Sequence, residues 1–363
     1  MIDEQLRQEI AENTILSCGV NQPWTEFFAK KHISIGFMGG SVTQGYANFQ
    51  VYAQAYPQMV ADALRAQGYE VDCSICAEAG MATLQANALM QREIASKLPD
   101  IVFLEYAINE TTLKYSVVAF ESLVRRLLTL EKPPIVAFFM LRSADGYSCE
   151  SYMQPMAEHY GLPCLSLSAG INQPLEAGRL CWEDYADAES HPTPDGHQLL
   201  AACINAFWEK AKSTQYQPIP MKPLPEPWLE APYEGMEFFE AGALDGVTTD
   251  FSVLPKEYGY YHTMWLGVAE QNHSFTLDIT CRVLVLYYES NRDESFGSAK
   301  ILLDNEPISH PLLNQSVLHC NSTYGWGNAM PIEIVVDDTT KKHRVTLQTL
   351  ERNTVLLGFG VCW

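Results

Sequence analysis

Short apolar runs alternate with segments of helical periodicity through the first half of the chain. In 56–64 and 117–131 the apolar residues recur every three or four positions, whereas the intervening runs are apolar at consecutive positions. Such runs, separated by helices of 10–15 residues, are typical of a parallel sheet covered on both faces. The predicted strands cover 33–40, 70–76, 101–107, 135–141 and 164–168, and the predicted helices cover 56–64, 83–97, 117–131, 150–160 and 194–212.

The helical period disappears after residue 234. Segments such as SFTLDIT, RVLVLYYES and HRVTLQTL have the character of β-strands, and turn-forming sequences lie between them. Several short strands of this kind predict an antiparallel, jelly-roll-like β-sandwich over 234–363. Since 363 residues also favour two domains over one, we predict a separate α/β domain over 1–216.

A proline-rich connector over 217–233 separates the two predicted domains. It contains six prolines, which make a segment extended and semi-rigid. However, Ile219, Met221, Leu224 and Trp228 are unusually apolar for an exposed linker. The sequence is therefore compatible with a free linker and with a strap packed against the first domain.

Charge and hydropathy exclude several classes of partner. The chain has 23 Lys and Arg against 44 Asp and Glu, a net charge of −21, which disfavours nucleic acid and anionic membranes as partners. No apolar run approaches the roughly 18 residues of a membrane-spanning helix. The start, MIDEQLRQEIAEN, is acidic and has no apolar core of a signal peptide. We therefore expect a cytoplasmic protein; a homo-oligomer is compatible with the sequence.

The ten cysteines fit the same expectation. Most lie in apolar runs and are expected to be buried thiols in a reducing compartment. Cys73 and Cys76 form a CxxC, but no second cysteine pair follows at the spacing of a zinc site. His159, His191 and His197 have no second ligand at a suitable spacing. We therefore predict no metal ion and no other cofactor.

A candidate nucleophile lies at the end of the first predicted strand, in GGSVTQG over 39–45. A serine in a glycine-rich turn between a strand and a helix has its hydroxyl exposed at the edge of the sheet, where a substrate can approach the backbone N–H groups. The GK[ST] ending of a phosphate-binding loop is absent, and so is the dinucleotide fingerprint. Ser41 is therefore the candidate nucleophile.

A candidate base lies far downstream, in HPTPDGH over 191–197, directly before a predicted helix. A loop at this place can carry His191 over the edge of the sheet. Asp184, Asp187 and Glu189 precede it closely, so one of them can orient the imidazole.

Two further residues follow predicted strands, Gly80 after 70–76 and Asn109 after 101–107. Since the carboxyl ends of parallel strands meet at one edge, both are expected near Ser41. The backbone N–H groups of Ser41 and Gly80, with the side chain of Asn109, then form a three-donor oxyanion hole. Taken singly, Gly80 also suits a plain turn, and Asn109 suits a helix cap or an Asx turn.

Together these segments resemble the SGNH (GDSL-like) hydrolase superfamily, in its carbohydrate-esterase-like branch. That family orders its blocks as Ser, Gly, Asn and then Asp-x-x-His, and the resemblance covers roughly residues 33–212. It implies a three-layer, flavodoxin-like α/β/α sandwich with a parallel sheet. It also implies a serine esterase that forms an acyl-enzyme and removes short acyl groups, often acetyl, from sugars.

One departure from the family pattern concerns the acid. The position three residues before His191 is Ala188, while Asp187 lies four before it and Glu189 two before it. We favour Asp187, because a loop can absorb a slip of one residue. Glu189, or a backbone carbonyl that completes a Ser–His dyad, remains an alternative.

The substrate expectation is a small-molecule or oligosaccharide ester. Aromatic residues of the second region suit stacking on sugar rings, above all Tyr260 and Tyr261, although core packing explains them equally well. Alternatives are an acyltransferase or a lipase or thioesterase of the same superfamily, and a catalytically inactive sugar-binding protein. The aromatic candidates are Tyr258, Tyr260, Tyr261, Trp265, Tyr324 and Trp326.

Overall fold

The chain divides into two compact units. One comprises Met1–Ala86 with Met90–Ala231, and the other comprises Asn87–Leu89 with Pro232–Trp363. The structure is a computed structural model, and within its described residues no helix is long and apolar enough to span a bilayer. The described residues are 1–20, 22–47, 50–214, 223–257, 259–311, 313–323 and 325–363.

The first unit is built on a six-stranded sheet of order β1-β8-β7-β6-β2-β5. The four pairings among β5, β2, β6, β7 and β8 are parallel, which confirms the predicted α/β class. These strands are β1 Ile15–Cys18, β2 His32–Gly39, β5 Glu70–Ala77, β6 Ile101–Glu105, β7 Ile135–Met140 and β8 Pro163–Ser166, while β3 Tyr46–Ala47 and β4 Gln50–Val51 form a separate small hairpin.

Helices connect these strands in the predicted alternation. Their bounds are α1 Glu4–Asn13, α2 Trp24–Ala29, α3 Ser41–Gln44, α4 Tyr56–Ala66, α5 Thr83–Glu93, α6 Lys114–Leu128, α7 Glu150–Tyr160, α8 Leu167–Glu176, α9 Trp182–Tyr185 and α10 Pro194–Ser213.

The central strands are buried on both faces, as their unbroken apolar runs predict. Every residue of β6 and β7 is buried. Phe103 of β6 packs at 5.5 Å from Trp208 of α10, whereas Phe138 of β7 packs at 4.9 Å from Phe120 of α6. Alternate side chains therefore enter two apolar layers, which fixes the carboxyl edge of the sheet in place.

Two local features differ from the sequence expectation. The edge strand β1 was not predicted, and it runs antiparallel to β8, so the sheet is mixed. The predicted strand over 164–168 ends at Ser166, because the hydroxyl of Ser166 accepts a hydrogen bond from the N–H of Ala169 and caps α8. Four residues give too short a periodic pattern to reveal β1.

The second unit is an antiparallel β domain, as predicted. Its strands join in one ten-stranded sheet, in which every pairing between the named strands is antiparallel. They are β9 Glu237–Glu240, β10 Val247–Thr249, β11 Ser252–Pro255, β12 Thr263–Val268, β13 Ser274–Asn291, β14 Ser298–Leu303, β15 Glu306–Pro307, β16 Val317–His319, β17 Trp326–Glu351 and β18 Asn353–Cys362.

The long strands β13 and β17 explain why the predicted strands are too short. SFTLDIT and RVLVLYYES belong to one strand, since β13 continues through a register shift between Cys281 and Val283. An irregularity of this kind bends a strand without ending its ladder. An aromatic cluster of Trp265, Phe275 and Phe359, with ring centroids 5.1 to 5.9 Å apart, lies in the core of this unit.

The described part of the proline-rich segment packs against the first unit. Its backbone carbonyls at Pro225 and Glu226 accept hydrogen bonds from Arg125 of α6 and His159 of α7, at 2.6 and 2.9 Å. Residues 217–222 of the predicted connector lie outside the described residues. Residues 223–231 therefore act as a strap on α6 and α7, not as a free linker.

Glu121 of α6 is the main anchor of this strap. Its carboxylate is buried and accepts hydrogen bonds from the backbone N–H groups of Trp228, Leu229 and Glu230, the last two at 2.8 and 3.0 Å. The hydroxyl of Tyr160 donates to the same carboxylate at 2.5 Å. Four donors therefore compensate for the desolvation of this side chain.

We predict that Glu121→Ala lowers the free energy of unfolding by roughly 2–4 kcal/mol, because three backbone N–H groups lose their acceptor. Urea denaturation measures this change. Glu230→Gln is the matched control, since Glu230 forms an ion pair with Lys114 that is more than half exposed on both sides. This control should shift the free energy of unfolding by about 0.5 kcal/mol or less. Equal small effects of both substitutions would contradict an anchoring role for Glu121.

Candidate active site

The turn after β2 presents Ser41 at the carboxyl edge of the sheet. Gly40 caps α3 and Ser41 is its first residue, so the Ser41 N–H has no acceptor within the helix. The helix ends after one turn at Gly45, whose φ of +82° is the left-handed conformation that favours glycine. Ser41 is 8% exposed, so it is almost fully covered by its neighbours.

Asn109 lies directly beside this turn. It follows β6 in a turn where its backbone N–H donates to the carbonyl of Tyr106 at 3.0 Å. A Cβ on Gly40 would lie 2.6 Å from both Cγ and Nδ2 of Asn109, so only glycine allows this approach. Within the described residues, Oδ1 of Asn109 is buried without a hydrogen-bond partner. The amide is thus held against the residue that precedes Ser41.

The imidazole of His191 connects Ser41 with Asp187. Nε2 of His191 lies 3.1 Å from Oγ of Ser41, and Nδ1 lies 3.1 Å from Oδ2 of Asp187. Since the carboxylate is an acceptor, Nδ1 carries the proton and Nε2 accepts the hydrogen bond from the serine hydroxyl. Ser41 and two side chains about 150 positions further along the chain therefore form one hydrogen-bonded line.

A tight loop explains how Asp187 reaches the imidazole from four positions away. Oδ1 of Asp187 accepts hydrogen bonds from the backbone N–H groups of Glu189, Ser190 and His191, at 2.9 to 3.0 Å. The backbone N–H of Asp187 donates to the carbonyl of His191 at 3.0 Å and closes the loop. Burial would raise the pKa of Asp187, but the hydrogen bonds that its carboxylate accepts from His191 and from the loop N–H groups outweigh it and lower the pKa.

Glu189, the alternative acid, does not take this place. Its nearest carboxylate oxygen is 3.8 Å from Nδ1 of His191, beyond hydrogen-bond distance, and its side chain is 82% exposed. A second support of the Asp187 loop comes from Trp182, whose indole N–H donates to the carbonyl of Asp187 at 2.6 Å. The guanidinium of Arg142 in turn lies 5.7 Å from the centre of the Trp182 ring.

Gly80 lies in the turn 78–81 that follows β5. The N–H of Met81 donates to the carbonyl of Glu78, and Gly80 has a φ of +76°, which a turn of type II requires at its third position. The N–H of Ala79 donates to Oε1 of Gln44 at 3.0 Å, which ties this turn to α3. The loop that carries Gly80 is therefore joined directly to the helix that carries Ser41.

Three residues of the site were missed by sequence reasoning. The ring of Tyr46 meets the His191 imidazole edge-to-face at 5.7 Å, Gln44 holds the Gly80 turn, and Trp182 holds the Asp187 loop. Gln44 lies within the serine motif over 39–45 and Tyr46 directly follows it, and this position was the available signal. Trp182 carries no signal in the sequence, because its partner is a backbone carbonyl.

The aromatic candidates of the second unit need correction. The prediction that Tyr261 is an exposed sugar-stacking residue is wrong, since it is 2% exposed and packs edge-to-face on Phe238 at 5.5 Å. Tyr260 is half-buried and Trp265 is buried in the core. Trp326 is 51% exposed. Tyr258 and Tyr324 lie outside the described residues.

Cysteine, histidine and carboxylate side chains do not form a metal cluster in the part of the chain that the structure describes. No group of three or more of them is placed to hold an ion there. All ten cysteines are free thiols, and burial raises the pKa of Cys73 to about 11. A protonated thiol is a weak nucleophile, so the hydroxyl of Ser41, beside a base, is the better-prepared nucleophile.

Comparison with solved structures gives the fold a precedent. A two-domain esterase active on acetylated mannans is similar in structure, with a TM-score of 0.83 and 20% sequence identity. The aligned region covers 97% of this chain and 98% of the esterase chain. The same esterase co-crystallised with mannopentaose matches equally well, at 0.83 and 20%, over 97% of each chain. This chain has the fold of that two-domain esterase. The likeness extends through both units.

Other comparisons add less. A catalytic mutant of an acetylxylan esterase from Geobacillus stearothermophilus matches 52% of this chain and 97% of its own, with 18% identity and a TM-score of 0.41. A score of this size supports no conclusion about this chain. No protein-family model matches the chain, and no curated protein matches its sequence.

We predict that a serine-directed fluorophosphonate labels Ser41 and that the labelling depends on Asp187. Asp187→Asn should slow labelling by roughly 10²- to 10⁴-fold, because an amide N–H that faces Nδ1 favours the wrong imidazole tautomer. Glu189→Gln is the matched control and should leave the rate within about twofold, as expected for an exposed side chain outside hydrogen-bond distance. A larger loss with Glu189→Gln than with Asp187→Asn would assign the orienting role to Glu189.

Proposed function

We propose that this chain is a serine esterase that removes O-acetyl or other short acyl groups from carbohydrate through an acyl-enzyme. The observation that carries the proposal is the line of two 3.1 Å hydrogen bonds from Ser41 through His191 to Asp187. A hydroxyl beside a neutral, oriented imidazole is the arrangement that activates a serine for attack on an ester carbonyl.

In the first step, Oγ of Ser41 attacks the carbonyl carbon while Nε2 of His191 takes the hydroxyl proton. The carbonyl oxygen becomes an oxyanion, which the N–H groups of Ser41 and Gly80 and the side-chain amide of Asn109 stabilise. The ester C–O bond then breaks, and His191 returns the proton to the leaving sugar hydroxyl. Asp187 stays ionised throughout and stabilises the imidazolium.

In the second step, water replaces the sugar. Nε2 of His191 accepts a proton from the water, whose oxygen attacks the acyl carbon and forms the second oxyanion. Collapse of this intermediate breaks the bond to Oγ of Ser41, and the proton on His191 returns to the serine. The product leaves as the carboxylic acid, which loses the second proton of the water to solvent, and the free enzyme is restored.

The fold likeness to an esterase active on acetylated mannans, over nearly the whole of both chains, supports carbohydrate as the substrate class. The net charge of −21 is consistent with a neutral sugar ester and disfavours an anionic one. Among sugars, acetylated manno-oligosaccharides are the first choice, and xylo- and gluco-oligosaccharides are the comparison substrates.

The exposed aromatic Trp326 suggests a role for the second unit in this function. A ring that is 51% exposed and lies at the start of β17 offers a flat apolar face of the kind that stacks on sugar rings. We therefore include binding of the carbohydrate chain by the second unit in the proposal.

We predict that the full chain releases acetate from acetylated manno-oligosaccharides and from p-nitrophenyl acetate, and that Ser41→Ala abolishes both reactions without a loss of fold. Acetate release and circular dichroism measure these outcomes. Activity retained by Ser41→Ala, or no release by the wild type from any acetylated manno-, xylo- or gluco-oligosaccharide, would contradict the proposal. Acyl transfer that requires an added sugar acceptor would indicate an acyltransferase, and absence of fluorophosphonate labelling would indicate an inactive sugar-binding protein.

We predict that Trp326→Ala raises KM for an acetylated oligosaccharide by about 5- to 50-fold, equivalent to the loss of one stacked ring, and leaves p-nitrophenyl acetate unchanged. Trp363→Ala is the matched control, since Trp363 is also 51% exposed but packs its ring on Phe239. An equal effect of the two substitutions on both substrates would argue against sugar binding at Trp326.

A further inference from the structure

A buried carboxyl group lies beneath the serine turn and has no part in the mechanism above. Glu105, the last residue of β6, is 0% exposed. Its Oε2 accepts a hydrogen bond from the hydroxyl of Thr43 at 2.9 Å, and Oγ1 of Thr43 lies 2.8 Å from the hydroxyl of Tyr56. One chain of polar groups thus connects β6, α3 and α4 directly behind Ser41.

The backbone of the serine turn also faces this carboxyl. Burial raises the pKa of Glu105 to about 8, and the Thr43 hydroxyl and the N–H groups of Thr43 and Gly40 act in the opposite direction. Gly39 pairs with Glu105 in the ladder between β2 and β6, and a Cβ on Gly39 would lie 2.8 Å from the backbone carbonyl oxygen of Glu105. The carboxyl therefore contacts Thr43, two residues after Ser41, and its own backbone pairs with Gly39, two residues before Ser41.

The burial of Glu105 is expensive and only partly offset. Its Oε1 is buried without a hydrogen-bond partner among the described residues, and the groups that act on its pKa include no cation. A buried carboxyl that is incompletely paired costs stability, so a residue of this kind at a site points to function.

The helix that carries Ser41 needs an external support. α3 has four residues, and a helix of one turn does not hold its geometry alone. A shift of about 1 Å in a nucleophile can lower a rate by about 100-fold. The hydrogen bond from Thr43, two residues after Ser41, is therefore in the right place to set the direction of the Ser41 hydroxyl and of its N–H.

We propose that Glu105 is a positioning residue, which acts through Thr43 to hold Ser41 in line with His191 and with the oxyanion. This inference rests on the proposed esterase function. It assigns Glu105 no contact with the substrate, and it assigns Thr43 the role of the connecting group.

Glu110 offers a matched control from the same loop. It is 4% exposed, burial likewise raises its pKa, and its Oε1 accepts hydrogen bonds from the N–H and the hydroxyl of Thr83, at 2.5 and 2.6 Å. Glu110 thus supports α5, whereas Glu105 supports α3. Glu→Gln at either position removes one buried carboxyl with little change of shape. Of the two residues, only Glu105 faces the serine turn.

The experiment compares full-length wild type, Glu105→Gln, Glu110→Gln and Thr43→Val. Each protein is measured for fluorophosphonate labelling, for kcat and KM on p-nitrophenyl acetate, and for Tm. Glu105→Gln should lower kcat and the labelling rate together by about 10- to 100-fold with KM within about twofold. Thr43→Val, which keeps the shape and removes the hydroxyl, should lower them by about fivefold. Glu110→Gln should lower Tm but keep both rates within about threefold.

The outcomes separate this inference from the function on which it rests. Wild-type activity and labelling in Glu105→Gln, or the same loss of rate in Glu110→Gln, would overturn the positioning role and leave the esterase proposal intact. A wild type that neither labels nor hydrolyses would overturn the esterase proposal itself. If Glu105→Gln does not fold, Thr43→Val decides, and unchanged rates in that variant would overturn the inference.

Discussion

The hydrogen bond between Ser41 and His191 is the interaction on which the rest of the site depends. It joins two residues 150 positions apart at 3.1 Å, and both are delivered by elements that pack on the same sheet. Ser41 follows β2 directly, and His191 precedes α10, whose Trp208 packs on Phe103 in the middle of β6. A dense apolar core resists small displacements, so this packing keeps the two polar groups within reach of one proton.

The loop around Asp187 shows that geometry, and not sequence spacing alone, decides which acid faces a histidine. One oxygen of this carboxylate accepts three backbone N–H groups of its own loop, and the other oxygen faces the imidazole. The same side chain therefore shapes the loop and orients the imidazole of His191. A spacing of four residues, not the three that the resemblance implied, is accommodated because Ala188 lies within a turn that the carboxylate itself closes.

Buried carboxyl groups serve the first unit as supports for backbone. Glu105, Glu110 and Glu121 are all nearly or fully buried, and each accepts hydrogen bonds from segments that have little regular structure of their own. A carboxyl group suits this task because each of its oxygens can accept more than one donor, as Glu121 shows with three backbone N–H groups and a hydroxyl. The serine turn, the start of α5 and the strap are held in this way.

The alternation of apolar runs and helical periods determined the α/β class of the first unit and the antiparallel β class of the second. The local motifs also nominated Ser41, His191, Asn109 and Gly80, because small residues and polar residues after strands have a physical meaning without any knowledge of the fold. Only the tertiary structure decided which acid faces His191. The carboxylate of Asp187 accepts three backbone N–H groups of its loop whereas Glu189 is exposed, and the spacing in the sequence does not encode this difference. The burial of Tyr261, the antiparallel pairing of β1 and the position of Glu105 beneath Ser41 were decided in the same way. Each depends on which distant segment packs against the residue, and a linear pattern records what a side chain is but not what surrounds it.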